Sequence, residues 1–198
     1  MKADLLAMDA ASVSRAVKIV RGGGLVIFPT DTVYGIGCDP LNDRAVGRLF
    51  QVKQRSSKPV SVLCSSLERA GALVVLKGKA LDLATAHWPG ALTIVAPLRV
   101  QVPQLLNQGL PNLGVRVPNH PGVLKLIDLC GGWLTGTSAN LSGRPSARTA
   151  WEAATQLGDS VDLVLDGGPL SGTESTVVQV VDNTVAILRT GPVGVGVE

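Results

Sequence analysis

Residues 25–32 read LVIFPTDT, in which four apolar residues run directly into a proline and three polar residues. A short, wholly apolar run is typical of a strand that is buried on both faces of a sheet. The polar residues that follow would lie at the carboxyl end of this strand, where α/β sheets usually bind ligands. The stretch therefore indicates an α/β protein with a candidate site here. The same residues, Thr30–Thr32, could equally form a turn that satisfies its own backbone.

Outside this stretch, helical and strand patterns alternate along the chain. Asp9 is suited to cap a helix whose apolar residues recur at three- and four-residue spacing until Gly22–Gly24. Two late strands, Ser175–Val181 and Val185–Arg189, are too close for a crossover, and Asp182-Asn183 is a hairpin turn signal. We therefore expect one α/β domain with a mixed sheet and flanking helices over residues 1–198. Further helices are predicted at 42–50, 67–76, 80–88, 121–130 and 149–157, and further strands at 33–38, 59–64, 92–98, 114–117, 133–135 and 163–165.

The composition excludes several classes of protein. Hydrophobic residues make up 45% of the chain and charged residues 17%, which is the opposite of a disordered composition. Aromatic residues make up only 3%, so the core should be aliphatic and a stacking platform for single-stranded nucleic acid is disfavoured. The net charge of +3 permits an anionic ligand without demonstrating one.

The sequence also bears on the cellular compartment. Its three cysteines form no C-x-x-C pair, which is typical of reduced thiols in a cytoplasmic protein. The first residues lack the apolar core of a secretory signal. No apolar run reaches the roughly 18–20 residues that a membrane span requires. We therefore expect a cytoplasmic protein without a membrane partner.

Two clusters place positively charged residues at the end of a predicted helix or strand. Lys53 and Arg55 follow the predicted 42–50 helix, where they could either cap the helix or clamp phosphate groups. Arg116 ends a short apolar strand, where it could form a surface ion pair or hold a carboxylate with two hydrogen bonds. His120, between asparagine and proline, is interpreted as a turn residue rather than a catalytic base.

Two further clusters offer uncharged hydrogen-bonding groups. Ser138 and Asn140 lie two residues apart, so both would face the same way from an extended loop and suit a ribose, phosphate or amino-acid group. Ser175 begins one strand of the predicted hairpin and Arg189 ends the other, so the two should be neighbours. The sequence has no G-x-S-x-G elbow, Walker P-loop, G-x-G-x-x-G fingerprint or zinc-ligand spacing.

The order of these motifs, from about Leu25 to Gly191, resembles that of the YrdC family in its short, single-domain form. Residues 191–198 would form a tail beyond the motifs. The resemblance is carried by Pro29–Gly35, Lys53-x-Arg55, Pro89-Gly90-x-Leu92-Thr93, Arg116-Val117-Pro118-x-His120-Pro121, Ser138-Ala139-Asn140-x-Ser142-Gly143, Ser175-Thr176-Val177 and Leu188-Arg189-x-Gly191.

This resemblance implies a twisted mixed sheet with a concave, basic face. It implies an L-threonylcarbamoyladenylate synthase, a nucleotidyltransferase that joins L-threonine, bicarbonate or CO2, and ATP with release of pyrophosphate. The product would serve downstream enzymes that transfer the threonylcarbamoyl group to tRNA. Mg²⁺ would accompany ATP rather than occupy a site built by the protein.

Residue by residue, the resemblance also implies roles. The implied threonine contacts are Thr32, Arg116, Ser138 and Ser175. The implied ATP contacts are Lys53, Arg55, Asn112, Asn140 and Arg189, and the catalytic group comprises Lys53, Arg55, Ser138 and Asn140. The chain departs from the pattern in two places: the loop after Arg55 is one residue shorter than in many members, and Cys64 falls where some members have a threonine-contacting histidine.

Two alternatives remain open at this point. The chain could be an RNA-binding module of the same fold that takes double-stranded RNA or tRNA. It could also be a relative of the same fold with a different amino acid or acyl substrate.

Overall fold

The structure, a computed structural model, describes residues 3–54 and 58–196. Within these residues ten strands form one sheet in the order β1-β8-β2-β3-β7-β4-β6-β5-β9-β10. Parallel and antiparallel pairs alternate irregularly, so the expected mixed α/β fold is confirmed. The strands are β1 Asp4–Ala7, β2 Val26–Phe28, β3 Gly35–Gly37, β4 Ser61–Cys64, β5 Leu92–Pro97, β6 Asn112–Arg116, β7 Trp133–Ser138, β8 Leu163–Asp166, β9 Thr176–Val181 and β10 Thr184–Arg189. The helices are α1 Ala10–Arg21, α2 Asp43–Val52, α3 Leu67–Leu73, α4 Lys79–His87, α5 Gln104–Asn107, α6 Pro121–Leu129 and α7 Ala150–Leu157.

Local signals explain α1 and β2. The Asp9 carboxylate accepts a hydrogen bond from the Ser12 N–H, and the Ser12 hydroxyl accepts one from the Asp9 N–H; this capping box satisfies two N–H groups at the start of the helix. The apolar positions of α1 are buried and Gly22 ends the helix, as predicted. All three residues of β2 are buried between β8 and β3, which confirms the strand predicted from its apolar run.

The structure differs from the sequence prediction in a few elements. Strand β1 and the four-residue helix α5 were not predicted. β1 is short and mostly exposed at the edge of the sheet, so it leaves little apolar periodicity to detect. Strand β3 is shorter than predicted, and β7 extends to Ser138.

The hairpin of β9 and β10 forms at the predicted place. Asp182 and Asn183 adopt φ angles of 49° and 63°, the left-handed conformation that a two-residue type I′ turn requires. The pairing is regular from Thr184 to Ile187 and then shifts by one residue before Arg189, which marks a β-bulge.

The core is mainly aliphatic, as the composition predicts, with Phe28, Tyr34 and Phe50 as its buried aromatic residues. It comprises two large clusters and a smaller third one beneath the β9–β10 hairpin. Val193 and Val195, in the described part of the tail, pack against this third cluster, and the Val193 backbone exchanges two hydrogen bonds with the Thr176 hydroxyl. The longest described helix has 12 residues, and none in the described part of the chain could cross a membrane.

Candidate active site

A cavity of about 920 Å³ lies across one face of the central strands. Along β4, β5, β6 and β9 its lining residues are two apart, because successive side chains of a strand point to opposite faces of the sheet. A smaller cavity of about 580 Å³ adjoins it and shares Val33, Arg144 and Glu174. The strands contribute Ser61 and Leu63 from β4, Thr93 and Val95 from β5, Asn112, Gly114 and Arg116 from β6, Gly136 and Ser138 from β7, and Val177 and Gln179 from β9.

Two glycines leave the floor of this cavity free of side chains. A Cβ atom on Gly114 would lie 3.3 Å from the Thr93 methyl group and 3.4 Å from the Ser61 hydroxyl. A Cβ atom on Gly136 would lie only 2.5 Å from Leu63. A larger side chain at either position would crowd these neighbours, so the glycines leave the floor open for a ligand to approach the backbone.

One end of the cavity combines hydroxyl groups with a buried arginine. The hydroxyls of Thr30 and Thr32 lie 2.9 Å apart, and Thr30 donates to the Val33 carbonyl. Arg116 donates from Nη1 to the Thr32 hydroxyl at 3.1 Å and from Nη2 to Asp31, and its Nε–H binds the Gly90 carbonyl. The polar residues Thr30–Thr32 are therefore not only a turn that satisfies its own backbone, because two of their side chains also bind Arg116, which is distant in the sequence.

The geometry of Arg116 suits it to hold a carboxylate. Burial lowers the pKa of Arg116, and the neighbouring Asp31 charge opposes this shift, so the pair keeps the guanidinium charged. A guanidinium has five N–H donors, and each terminal nitrogen uses one of its two in the bonds given above. Each terminal nitrogen therefore keeps a donor for a ligand in the cavity.

A second arginine lies beside Ser175, as the hairpin geometry predicts. Arg189 donates from Nε to the Ser175 carbonyl and from Nη2 to the Ser175 hydroxyl, both at 3.0 Å, and from Nη1 to Glu174. Thr93 extends the group, since its hydroxyl lies 2.9 Å from that of Ser175. Burial alone would raise the pKa of Glu174, but the hydrogen bond from Ser146 and the charge of Arg189 outweigh it and hold that pKa below its usual value.

Lys53 and Asn140 organise the loop after β7. Lys53 is the residue that ends α2, yet its ammonium group turns inward and donates to the carbonyls of Ser138 and Asn140. The Asn140 amide donates to the carbonyls of Leu141 and Arg144 at 3.0 Å and 2.6 Å. Among the described residues, its Oδ1 atom is buried without a hydrogen-bond partner. The structure thus brings Lys53, Ser138 and Asn140 together at the cavity wall.

The remaining predicted residues have mixed outcomes. Asn112 is the first residue of β6 and lines the cavity, whereas Arg55 lies outside the described residues. Cys64, which falls where some family members have a threonine-contacting histidine, points into the core on the opposite face of β4, where burial raises the pKa of its thiol. Its neighbour Leu63 faces the cavity. His120 caps α6 by accepting a hydrogen bond from the Val123 backbone, in keeping with its interpretation as a turn residue.

The sequence analysis assigned no contact to three polar members of the site, Asp31, Thr93 and Glu174. Asp31 and Glu174 each pair with an arginine, and Thr93 joins the hydroxyl group of Ser175. Asp31 and Thr93 lie inside motifs quoted from the sequence, and Glu174 directly precedes another, Ser175-Thr176-Val177. Only the strand neighbours of β5 could have shown which face Thr93 occupies.

The charge of the cavity is predominantly positive. Within residues 3–54 and 58–196 its lining has one carboxylate, Glu174, and no aromatic ring. In that same part of the chain, no group of three His, Cys, Asp or Glu side chains could hold a metal ion. The cavity therefore suits an anionic ligand whose apolar part contacts aliphatic walls. The cationic lining residues are Lys53, Lys58, Arg116, Arg144 and Arg189.

The fold and the cavity define an α/β protein with a small-molecule site on one face of a mixed sheet. A model of the family named Sua5_yciO_yrdC, described as telomere recombination, matches residues 18–191. The chain belongs to this Sua5/YciO/YrdC family, which confirms the resemblance drawn from its motifs.

Individual relatives agree with this assignment. The chain is 37% identical over 179 residues to threonylcarbamoyl-AMP synthase of Pyrococcus abyssi, a match that covers 89% of this chain and 53% of that protein. It is 35% identical over 161 residues to threonylcarbamoyl-AMP synthase of Klebsiella pneumoniae, covering 79% and 85% of the two chains. The crystal structure of P. abyssi Sua5 complexed with L-threonine superposes with a TM-score of 0.91 at 34% identity, covering 95% of this chain and 57% of that one. The chain thus spans about half the length of its archaeal relative.

Proposed function

We propose that this protein is an L-threonylcarbamoyladenylate synthase. The observation that carries the proposal is a single cavity in which a buried, hydroxyl-flanked arginine and further cations line the same space. Relatives named threonylcarbamoyl-AMP synthase, and the Sua5 structure that holds L-threonine, support it. As a reaction class this is nucleotidyl transfer.

The amino acid would bind at the Arg116 end of the cavity. The two free N–H donors of Arg116 match the two oxygens of a carboxylate. Hydroxyl groups of Thr32, Ser138 and Ser175 would read the threonine side chain and amine, because each can both donate and accept a hydrogen bond. Thr32 and Ser175 are already tied to Arg116 and Arg189, respectively, so their positions are fixed before substrate arrives.

The nucleotide would bind along the remaining cationic wall. Arg189 keeps donors beyond those it gives to Ser175 and Glu174, and these suit phosphate oxygens. Asn112 and Asn140 would contact the nucleotide from β6 and from the loop after β7. Arg55 is proposed as a further phosphate contact by the family pattern alone. Lys53 holds the loop carbonyls and adds positive charge to the wall.

The chemistry proposed for this site is an attack at phosphorus. Bicarbonate loses hydroxide to give CO2, the neutral amine of threonine adds to this CO2, and the proton that the nitrogen loses combines with the hydroxide as water. An oxygen of the resulting carbamate then bonds to the α-phosphorus of ATP. The bond from that phosphorus to the bridging oxygen breaks, and pyrophosphate leaves with the electron pair. Alignment of the two reactants and charge neutralisation by Arg189 and Lys53 would supply the rate enhancement, since negative charge builds up on the transferring group.

Mg²⁺ would enter with the nucleotide phosphates. The described residues do not fit a protein-built magnesium site, because Glu174 is already engaged by Arg189 and Ser146. We further propose a cytoplasmic setting and a downstream tRNA-modifying enzyme as the consumer of the adenylate, since a mixed carbamic–phosphoric anhydride is a reactive acyl donor.

The direct test is release of pyrophosphate by the purified chain with ATP, bicarbonate and each amino acid in turn. We expect release that requires both threonine and bicarbonate. Release with another amino acid instead would overturn the threonine assignment and favour a relative with a different substrate. No release with any amino acid, together with RNA binding that weakens steeply as salt rises, would favour the RNA-binding module.

A further inference from the structure

One carboxylate lies among the cations of the main cavity. Within residues 3–54 and 58–196, Glu174 is the one acidic residue that lines this cavity, beside five cationic ones. A carboxylate repels the phosphate groups that such a lining attracts. Substrate binding therefore does not explain why an acidic residue lies there.

Glu174 is fixed in place by groups from distant parts of the chain. Its Oε1 accepts a hydrogen bond from the Ser146 hydroxyl at 2.6 Å, and its Oε2 accepts one from Arg189 Nη1. A Cβ atom on Gly191 would lie 2.5 Å from the Glu174 carbonyl oxygen, so the chain after β10 packs directly on the backbone of this residue. The carboxylate thus has a defined position before any ligand binds.

This carboxylate is also ionised at neutral pH. Burial raises the pKa of Glu174, but the hydrogen bond from Ser146 and the charge of Arg189 outweigh it and hold that pKa below its usual value. Ser138 and Lys53 act in the same direction. Glu174 therefore neutralises part of the positive charge of the cavity in the protein without substrate.

Arg116 and Arg189 each have a carboxylate of their own. Asp31 pairs with Arg116, and Glu174 pairs with Arg189. The two guanidinium groups repel each other, since burial and, to a smaller extent, the charge of Arg189 lower the pKa of Arg116. The Asp31 side chain is only 15% exposed, whereas that of Glu174 is 35% exposed and lines both cavities. Glu174 is thus the counter-ion that an incoming anion meets.

A phosphate group on Arg189 would lie beside this carboxylate. Arg189 uses one N–H of Nη1 for Glu174, and its Nε–H and one N–H of Nη2 for Ser175. One donor is left on each terminal nitrogen. An oxygen bound to the second Nη1 donor shares that nitrogen with Glu174. Two negative charges so close together near a protein surface repel strongly enough to change an affinity about tenfold.

We propose that Glu174 is an internal counter-ion that limits how tightly the cavity holds pyrophosphate. The cations that stabilise charge during the transfer also attract this highly charged product. Because Glu174 stays beside Arg189, the arginine has a partner before ATP binds and regains it fully when pyrophosphate leaves. Product release limits turnover in many enzymes, so a lower affinity for the product favours turnover. The inference rests on the proposed function, since pyrophosphate is the product of that reaction.

The test is binding of inorganic pyrophosphate to the full chain by titration calorimetry, first without Mg²⁺ and then with it. Glu174→Gln should tighten binding about tenfold in both cases, because the amide keeps the shape and still accepts from Arg189 but carries no charge. The gain should shrink as the salt concentration rises from about 0.1 M to about 1 M. Glu174→Ala should also tighten binding, by at least about threefold, since two hydrogen bonds to Ser175 still hold Arg189.

Two further variants serve as controls. Glu174→Asp keeps the negative charge, so its affinity for pyrophosphate should stay within about threefold of the wild type. Glu68→Gln changes the net charge by the same amount, but Glu68 is exposed on α3 and does not line the cavity. Its affinity for pyrophosphate should stay within about twofold of the wild type.

The sign of the change separates a counter-ion from a residue that only orients Arg189. Weaker or unchanged pyrophosphate binding by Glu174→Gln would overturn the inference and leave the proposed synthase standing. Weakening seen only with Mg²⁺ would also overturn it, because Glu174 would then serve the metal. Equal tightening in Glu68→Gln, or a gain that salt does not reduce, would overturn it as well. A wild-type chain that neither binds pyrophosphate nor releases it from ATP would overturn the proposed function together with the inference.

Discussion

Lys53 offers the sharpest test of how the loop after β7 is built. Its side chain is 2% exposed, and its ammonium group hydrogen-bonds the carbonyls of Ser138 and Asn140. In return, the Lys53 carbonyl accepts a hydrogen bond from the Ser142 backbone at 3.1 Å. Replacing Lys53 by methionine keeps the length and apolar stem of the side chain and removes its charge and donors.

The magnitude follows from the groups left behind. A hydrogen bond to a charged group is worth about 1.5–3 kcal/mol, and an unpaired buried carbonyl costs about 1–3 kcal/mol. The methionine also removes the cost of keeping an ammonium group away from water, which offsets part of the loss. We expect Lys53→Met to lower the free energy of unfolding by about 3 kcal/mol. In a chain of this size that corresponds to a melting temperature lower by roughly 6–12 °C.

The assay is urea unfolding followed by circular dichroism, paired with pyrophosphate release. Turnover should fall at least about tenfold, because Ser138 and Asn140 lose their fixed positions. Lys125→Met is the matched control, since Lys125 is exposed on α6 and its loss should change stability by no more than about 0.5 kcal/mol. If Lys53→Met unfolded like the wild type, the ammonium group would not hold this loop and the reasoning would be refuted.

Three other substitutions test contacts that stabilise the fold around the site. Burial lowers the pKa of His120, so the folded protein binds a proton at this side chain less readily than the unfolded chain does. The stability of the wild type should therefore fall as the pH drops from about 7 to 5. His120→Asn can still cap α6 but does not titrate, so urea unfolding at several pH values should show a weaker dependence of its stability on pH. Tyr34→Phe should cost about 1–2 kcal/mol and speed amide exchange near Gly168, because the Tyr34 hydroxyl donates to the Gly168 carbonyl at 2.7 Å; unchanged exchange would argue against this tether. Gly37→Ala should destabilise by more than about 3 kcal/mol, because its Cβ would lie 2.2 Å from the Thr135 carbonyl oxygen, and a wild-type melting temperature would contradict that contact.

Features with local signals could be predicted from the sequence. The cap of α1, the buried strand β2 and the turn of the β9–β10 hairpin all depend on neighbouring residues. The proximity of Ser175 and Arg189 follows from the same hairpin, because the start of one strand meets the end of the next. The order of the motifs along the chain was also informative, since it indicated the family that the comparisons confirm.

Features that depend on distant partners could not be predicted. The Asp31–Arg116 ion pair joins residues 85 positions apart, and nothing local indicates it. The sequence could not show which face of β4 Cys64 occupies, because a shift of one residue along a strand moves a side chain to the other face; in the structure Leu63 lines the cavity and Cys64 lies in the core. The inward turn of Lys53 could not be predicted either, because its partners are carbonyls on a loop that follows β7.

The central claim is that one cavity binds the amino acid and the nucleotide together. The most direct measurement is a crystal structure of the chain with L-threonine and a non-hydrolysable ATP analogue. We predict the threonine carboxylate on Arg116, the phosphates on Arg189, and both ligands within the same cavity of about 920 Å³. A nucleotide bound elsewhere, for example confined to the adjoining cavity behind Glu174, or a threonine carboxylate away from Arg116, would contradict the account.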